Sequence, residues 1–436
     1  MLGNKVNPTI NNIYANYIGT VVQVVGPIIS LPFYLSLLGP SQFGLVSFIA
    51  TIQATLGMLE AGFAQVSAKE FAVLTNKTTP DYSSVAYYLN RFERIFWGLS
   101  ITVALVTACM SGFLVDHWLL ASTESEKSLS VDAIIGAALI FAVQFPSALY
   151  RSYLVGSQQQ VKLSIISSTA VLVRHGGGII ILWKQPTLHT YLVWQVLSYG
   201  METLVRRLVS WRSVDYIPIP TNEKKERFAK VVRDSLGMFV AVLLGTITTQ
   251  LDKIILSGSL PIEQFGYYSI ASTVSLGVIT AIQPIVQAIS PLMMQSANNK
   301  EALRLQSIKL TKIISIVVII FTIGYVFLGY TLLTIWLRNS QAVNYIFPIL
   351  SILLVGSGLN AYYHIGYYNW LARGKTKIIF IVNLLSFILT MSITPILINM
   401  EGAMGATFGF VAMNLLGLML SIGWVKKTTD FKCTEK

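Results

Sequence analysis

The side chains best able to carry chemistry in this sequence are charged residues that lie within long apolar stretches. Arg174 lies in the middle of one such stretch, while Glu60, Asp252 and Lys253 lie nearer the ends of two others. A charge in an apolar medium is costly, so each is a candidate functional residue. At about 1.5 Å per residue, Arg174 lies about 18 Å along a helix that begins near Lys162. It is predicted either to face a polar cavity or to form an ion pair inside a helical bundle.

The other charges have alternative explanations that do not involve function. Lys253 either reaches a polar interface with its long side chain or lines a cavity, whereas the short carboxylate of Asp252 cannot reach that interface. Glu60 lies near a helix end and is either an interface residue or a functional acid. Glu202 precedes Arg206 by four residues, the favourable order for an ion pair along one helix. A structural pair is therefore predicted there.

Aromatic and amide side chains are concentrated in another apolar stretch. Asn360, Tyr363 and Tyr367 lie within a few residues of one another on one predicted helix. Such residues are typical of core packing and of anchoring at a membrane interface. They also provide rings on which sugar rings can stack and groups that hydrogen-bond to sugar hydroxyls. These three residues are candidate sugar contacts, with core packing as the alternative.

Enzyme motifs are absent from the sequence. Residues 374–376, Gly-Lys-Thr, resemble the end of a phosphate-binding loop, but the first glycine of that loop is replaced by Asn369. The four histidines do not have metal-ligand spacing, and no nucleophile is paired with a base. The sequence therefore predicts a protein that is not an enzyme and that has no cofactor or metal.

The apolar stretches are long enough to cross a membrane and are separated by gaps of alternating charge. A bilayer core of about 30 Å needs roughly 20 apolar residues per helical span. Almost all Lys and Arg residues lie in every second gap, which indicates that these basic gaps face the cytoplasm. This pattern predicts an all-α polytopic membrane protein with both termini cytoplasmic. The twelve predicted transmembrane helices cover residues 14–38, 44–66, 93–115, 131–153, 163–183, 188–210, 234–257, 265–293, 309–330, 341–366, 377–398 and 402–424.

The composition agrees with a membrane protein. Of 436 residues, 54% are hydrophobic and 11% are charged, and the mean hydropathy is +0.64. Twelve spans leave no room for a separate soluble domain. The net charge of +12 follows from the basic cytoplasmic gaps, which attract anionic lipid head groups, so it does not indicate a nucleic-acid partner. Membrane lipids are the predicted surroundings of the chain.

A polar segment near the middle of the chain divides the predicted helices into two sets of six. The segment covers 211–233, between a predicted lobe at 1–210 and a second lobe with a short cytoplasmic tail at 234–436. The motif Gln-Phe-Gly-x-x-Ser-x-x-x-Thr begins at Gln42 and again at Gln264. Each copy opens the second helix of its half, and the even number of spans per half makes the repeat parallel.

Several short motifs, ordered along the whole chain, resemble those of one known family. They include Pro27-x-x-x-x-Pro32-x-Tyr34-Leu35, Leu38-Gly39-Pro40-x-x-Phe43-Gly44 and Leu251-Asp252-Lys253-Ile254. In order and spacing these motifs resemble the Wzx-type polysaccharide (O-antigen) flippases of the multidrug/oligosaccharidyl-lipid/polysaccharide exporter superfamily. The two prolines of the first motif are also expected to interrupt the first helix.

The resemblance implies the transport of a lipid-linked glycan. The expected substrate is an undecaprenyl-pyrophosphate-linked oligosaccharide repeat unit of O-antigen (lipopolysaccharide), capsule or a related polysaccharide. It would pass from the cytoplasmic to the outer leaflet of the bacterial cytoplasmic (inner) membrane. The two lobes would enclose a central cationic cavity where Arg174 and Lys253 bind the pyrophosphate, with Arg151 helping to capture it. Asp252 or Glu60 would couple alternating access to H⁺ or Na⁺.

The resemblance also implies partner proteins, and alternative functions have to be weighed against it. Expected partner proteins are a polysaccharide polymerase and a chain-length regulator. A multidrug antiporter of the same superfamily shares the fold, but its cationic substrates favour buried carboxylates over a mid-membrane arginine. A lipid II flippase typically has fourteen spans. A membrane polysaccharide polymerase or ligase would need a larger basic outer loop than this sequence offers.

Overall fold

The regular elements of the structure, a computed structural model, are all α-helices, as predicted. The structure describes residues 8–75, 81–119, 123–212, 214, 228, 247, 250–296 and 299–429. The chain divides into two compact units, Met1–Thr246 (unit 1) and Ile247–Lys436 (unit 2). Most of the predicted linker 211–233 and of the predicted helix 234–257 lies outside the described residues. The predicted lobe boundaries therefore stay a prediction.

The first two predicted helices form a single helical element in unit 1. Its backbone leaves the helical range at Gly39 (φ 76°, ψ 167°), a conformation that glycine adopts without steric cost. The helices of unit 1 are α1 (Pro8–Thr75), α2 (Tyr82–Cys109), α3 (Ser111–Trp118), α4 (Glu124–Gln144), α5 (Ser147–Gly156), α6 (Gln160–Lys184) and α7 (Leu188–Trp211).

The prediction that Pro27 and Pro32 interrupt the first helix was wrong, because the backbone of α1 stays helical through both positions. Close packing against α6 supports the helix there. A Cβ atom added at Gly26 would lie 2.7 Å from Cγ1 of Val171, so the two helices approach closely at this glycine. The Ser30 hydroxyl donates to the Pro27 carbonyl at 2.7 Å. The helix is therefore continuous through both prolines, with α6 packed closely against it.

The core of unit 1 is an aromatic cluster that joins α1, α2 and α5. Phe71 of α1 lies 5.4 Å from Tyr153 of α5 and 6.3 Å from Phe92 of α2, measured between ring centroids. All three side chains are fully buried. The rings meet edge to face, which is the favoured arrangement of aromatic pairs. This cluster fixes the end of α1 that carries Glu60.

Unit 2 is built from six described helices around an aliphatic core. Val278, Leu310 and Ile365 are among its buried residues and come from three different helices. The helices of unit 2 are α8 (250–257), α9 (Ile262–Gln295), α10 (Lys300–Leu337), α11 (Ser340–Ala372), α12 (Thr376–Glu401) and α13 (Ala403–Thr429). Several extend beyond the predicted spans, because the prediction covered only their apolar parts.

Nine helical stretches in the described part of the chain are long and apolar enough to cross a membrane. One of them, Val21–Gly57, runs across the break at Gly39. α7 is not among the nine, since polar residues such as His189, Gln195 and Glu202 lower its mean hydropathy. The multi-pass membrane architecture is therefore supported, whereas the count of twelve spans and the side on which the termini lie stay predictions.

The repeated motif forms the same local hydrogen bond in both units. The Thr51 hydroxyl donates to the Ser47 carbonyl at 3.0 Å, and the Thr273 hydroxyl donates to the Ser269 carbonyl at 2.8 Å. Ser47 and Ser269 are both buried. The two copies thus agree in sequence, in position on a helix and in local bonding.

Candidate functional site

Arg174 is buried on α6 and forms an ion pair with Glu202 of α7. Its guanidinium carbon lies 3.4 Å from the centroid of the Tyr199 ring, also on α7. A desolvated cation over an aromatic face gains electrostatic stabilisation from the ring. Arg174 therefore has an acid on one side and an aromatic ring on another. The ion-pair alternative considered for this residue is present in the structure, and a substrate role for it stays a prediction.

Glu202 also pairs with Arg206, one helical turn further along α7. This confirms the pair predicted from the spacing of these two residues. Arg206 is buried and donates to the hydroxyls of Ser147 on α5 and Ser167 on α6, each at 2.8 Å. Two guanidinium groups thus share one carboxylate, which leaves one net positive charge. We call Arg174, Tyr199, Glu202 and Arg206 the arginine cluster.

Neighbouring side chains fix the helices that carry the arginine cluster. The Trp194 indole donates to the carbonyl of Arg174 at 2.8 Å, which ties α7 to α6. Nδ1 of His175 lies 2.9 Å from the Ser30 hydroxyl of α1 and 3.3 Å from that of Tyr34. His175 is therefore a packed, hydrogen-bonded histidine. These bonds position the cluster on rigid elements rather than on loops.

The arginine cluster has unused hydrogen-bonding capacity and an adjacent groove. Within the described residues, the buried Nε atoms of Arg174 and Arg206 have no hydrogen-bond partner. An apolar groove of about 260 Å³ lies along α6 and α7, and Glu202, Ser198 and Thr169 contribute its polar lining. The residue whose carboxylate the two arginines share thus lines this groove.

Arg151 and Glu60 form a further ion pair of unit 1, between α5 and α1. The Arg151 side chain is 47% exposed and that of Glu60 is 18% exposed. Both charges lie within electrostatic reach of the buried Arg206. Charged residues therefore extend from the half-exposed Arg151 to the buried arginine cluster.

Asp252 and Lys253 lie on α8 in unit 2. Asp252 is buried and accepts a hydrogen bond from the Tyr268 hydroxyl of α9 at 2.5 Å. Lys253 is half-buried beside it and forms no ion pair with any other described residue of the chain. The structure thus gives Asp252 a hydroxyl donor and leaves the Lys253 ammonium available.

The three candidate sugar contacts lie on α11 and have different surroundings. The Asn360 amide donates to the side-chain oxygen of Asn414 on α13 at 2.7 Å, so one of its hydrogen-bonding groups is already used. The Tyr363 ring packs 6.1 Å from the Tyr367 ring and 6.4 Å from the ring of Trp370. The Tyr363 hydroxyl is buried and has no partner among the described residues. Of the three, Tyr363 has the clearest spare polar group.

Sequence reasoning missed the partners that other helices provide. Each of three candidate residues contacts a side chain of a neighbouring helix. Arg174 contacts Tyr199, Asp252 contacts Tyr268, and Asn360 contacts Asn414. A signal for the first was present, because positions 195, 199, 202 and 206 of α7 carry Gln, Tyr, Glu and Arg at helical spacing. A polar stripe along an otherwise apolar helix indicates a face that meets another polar side chain.

The family of the chain is shown by a match over more than half of its length. The family model described as "Polysaccharide biosynthesis protein" covers residues 10–297. The chain belongs to this polysaccharide biosynthesis protein family. A Shigella flexneri protein named "Putative O-antigen transporter" is 21% identical over 417 residues, which cover 94% of this chain and 96% of that protein.

Solved structures share the fold along almost the whole chain. One is the inward-facing conformation of a multidrug resistance MATE family transporter of the MOP superfamily, with a TM-score of 0.73 and 12% identity, covering 97% of this chain and 100% of that one. Another is the lipid II flippase MurJ in an inward closed conformation, with a TM-score of 0.72 and 13% identity, covering 96% and 87%. At such identities these likenesses show the fold alone.

Taken with the family, these findings confirm the resemblance to the Wzx-type flippases. This member of the polysaccharide biosynthesis protein family is a multi-pass membrane protein and not an enzyme. Its general role is that of a lipid-linked polysaccharide flippase or a related transporter.

Proposed function

We propose that this protein moves undecaprenyl-pyrophosphate-linked oligosaccharide repeat units from the cytoplasmic to the outer leaflet of a bacterial inner membrane. The observation that supports this most is the arginine cluster, where two buried guanidinium groups share a single carboxylate. A pyrophosphate loses its hydration when it enters an apolar protein and needs compensating positive charge. Guanidinium groups bind phosphate oxygens in a bidentate fashion. The cluster supplies both requirements.

In this proposal Glu202 occupies the place of the substrate anion in the empty transporter. The half-exposed Arg151 first attracts the pyrophosphate. The phosphate oxygens then compete with Glu202 for Arg174 and Arg206, which keeps the guanidinium charges compensated at every stage. Lys253 provides a further cation from unit 2. The lipid tail stays in the bilayer, because transferring it to water would expose a large apolar surface.

Energy for transport comes from an H⁺ or Na⁺ gradient in this proposal, through Asp252 or Glu60. Glu60 is already neutralised by Arg151, whereas Asp252 accepts a hydrogen bond from the neutral Tyr268 hydroxyl and forms no ion pair with the other described residues. A carboxylate without a fixed cation exchanges a proton or Na⁺ more readily than one held in an ion pair. These contacts favour Asp252 as the coupling residue.

Tyr363, Tyr367 and Asn360 contact the glycan in this proposal, and the protein works beside a polysaccharide polymerase and a chain-length regulator. The spare hydroxyl of Tyr363 supports the sugar contact. The glycan passes to those partners on the outer face. Which polysaccharide is made depends on the sugars that the cell attaches to the lipid.

The multidrug antiporter is the second candidate function, because a MATE transporter shares the fold. Cationic drugs would be repelled by the net positive charge of the arginine cluster, since two arginines face one glutamate. The charge balance of this cluster therefore favours an anionic substrate.

Deletion of the gene tests the proposed function. Surface polysaccharide is expected to disappear, and lipid-linked repeat units should accumulate on the cytoplasmic face of the membrane. The chain returned on a plasmid should restore both. Normal surface polymer in a deletion strain that has no second flippase would contradict the proposal.

A further inference from the structure

A pocket of about 400 Å³ opens at one end of unit 2, where α9 and α11 begin. Its lining residues include Glu263, Gln264 and Tyr267 from α9, and Gln341, Asn344 and Tyr345 from α11. None of these residues is among the predicted site residues. The charge pattern of the sequence predicts that both helix starts lie on the outer side of the membrane.

Hydrogen bonds inside the pocket fix its side chains. The Tyr267 hydroxyl donates to Glu263 Oε1 at 2.8 Å, and the Tyr345 hydroxyl donates to Gln264 Oε1 at 3.2 Å. The side-chain oxygen of Asn344 accepts from Tyr330 at 3.0 Å. Tyr345 and Tyr330 thus use the amide oxygens of Gln264 and Asn344, and the amide nitrogens of these two residues remain as donors without a partner in the described residues.

The lining chemistry selects a ligand that is rich in hydroxyl groups and not anionic. Amide nitrogens donate to hydroxyl oxygens, and the Glu263 carboxylate accepts from hydroxyl groups. The rings of Tyr267 and Tyr345, with centroids 5.7 Å apart and an interplanar angle of 50°, form an aromatic wall. Among the described lining residues there is no lysine or arginine, so a phosphate would meet a carboxylate with no compensating cation.

From these features we infer that the pocket binds an uncharged sugar residue of the transported glycan on the outer side of the membrane. This inference rests on the proposed function for the source of the sugar. A volume of about 400 Å³ lies within the ordinary range of small-molecule sites. The pocket therefore gives the transporter a sugar contact on the side where the product leaves.

The two copies of the sequence repeat support a specialised role for this end of unit 2. In unit 1, the side-chain oxygen of Gln42 accepts from the backbone N–H of Leu188 at 2.8 Å and so caps the start of α7. The matching residue in unit 2, Gln264, lines the pocket instead and meets the side chain of Tyr345. The same residue is structural in the first copy and available to a ligand in the second.

Binding is tested with the purified full chain in lipid nanodiscs. The probe is the lipid-free oligosaccharide repeat unit released from the surface polysaccharide of the source strain, and saturation-transfer NMR detects the contact. Gln341→Ala and Asn344→Ala change exposed side chains, so folding is preserved. Each is expected to weaken binding by about fivefold, the effect of one hydrogen bond, and the double variant by more. Asn399→Ala, an exposed amide on α12 outside the pocket, is the matched control and should bind normally.

Several results would overturn the inference. They are no binding by the wild-type chain, equal binding by the double variant and the control, or equal saturation transfer from glycerol phosphate. Export by the same variants in the deletion strain is measured separately. If the chain proves dispensable for export but still binds the oligosaccharide, the proposed function fails and the sugar site stands.

The side of the membrane is tested by cysteine labelling in a chain whose two native cysteines are replaced by serine. Ser340→Cys, next to Gln341 and exposed, should react with an impermeant thiol reagent in intact cells. Asn299→Cys, exposed at the predicted cytoplasmic start of α10, should react only after the cells are opened. A shielded Ser340→Cys would place the pocket on the cytoplasmic side and overturn its assignment to product release.

Discussion

The two units stabilise their polar interiors by different means. The ion pairs of the described residues all lie in unit 1, and three of them involve Arg174, Arg206 and Arg151. Within the described part of unit 2 there is no ion pair, and apart from the carboxylate of Asp252 the buried polar groups are joined by neutral bonds, such as that between Ser275 and Ser357 at 2.6 Å. The two copies of the repeat therefore share a local hydrogen bond, but the units that contain them differ in the polar groups that they bury. The charged unit is suited to an anionic head group, and the neutral unit to hydroxyl groups.

The largest effect is expected at Arg174. Arg174→Ala and Arg174→Glu should abolish export, while Arg174→Lys should keep part of it, because the charge persists but the fork of donors is lost. Removing one partner of a buried pair costs about 3–5 kcal/mol, so membrane abundance must be measured beside surface polysaccharide. Wild-type export by an abundant Arg174→Ala protein would remove this residue from the substrate path.

A paired substitution separates the structural role of Arg174 from its role in transport. Arg174→Gln with Glu202→Gln removes both charges and keeps side chains of similar size. Abundance should be lower than for Arg174→Gln alone, because the single variant leaves Glu202 paired with Arg206, whereas the double variant leaves Arg206 as a buried cation without its carboxylate. Export should be lost in both variants if the Arg174 guanidinium binds the pyrophosphate. Wild-type export by an abundant Arg174→Gln protein would show that the charge of Arg174 serves stability alone.

The next largest effect is expected at Asp252, the buried acid of unit 2. Asp252→Asn keeps an acceptor for Tyr268 but removes the charge, and export is expected to fall about tenfold and to lose its dependence on the ion gradient. Tyr268→Phe is the matched control. It keeps the charge and loses a hydrogen bond to a charged group, at about 1.5–3 kcal/mol of stability. Gradient-driven export by Asp252→Asn would leave Glu60 as the coupling candidate.

A smaller effect is expected from single hydroxyl groups on α11. Tyr363→Phe removes a hydroxyl that has no partner among the described residues, so stability should not fall, whereas export should drop about fivefold if this group contacts the glycan. Tyr362→Phe removes the hydroxyl that donates to Ser315 at 2.8 Å, and should lose about 1 kcal/mol of stability without a specific export defect. Equal export by both variants at equal abundance would argue for core packing of Tyr363.

The smallest effect is expected where two neutral groups pair in the core of unit 2. Ser275→Ala combined with Ser357→Ala removes both partners of one bond, which is expected to change stability by less than about 1 kcal/mol. Thermal unfolding of the purified chain measures this, and export should be unchanged. A loss of stability as large as that caused by Arg174→Ala would contradict the proposed difference between the neutral bonds of unit 2 and the ion pairs of unit 1.

Much of the helical layout could be predicted from the sequence, because apolar length acts locally along the chain. The Glu202–Arg206 pair was also predictable, since both residues lie on one helix at a fixed spacing. The ion pairs from Arg174 to Glu202 and from Arg151 to Glu60 could not be predicted from the sequence. Each joins two helices, and a single sequence does not state which helical faces meet.

The arginine cluster also bears on how unit 1 enters the membrane. If α6 were inserted alone, it would place an unpaired arginine in the bilayer, at a cost of about 2.5–3.5 kcal/mol. Its partner Glu202 follows on α7, and only residues 185–187 separate the two helices. α6 and α7 are thus expected to insert together as a hairpin whose charges neutralise each other during synthesis, before the protein transports any molecule.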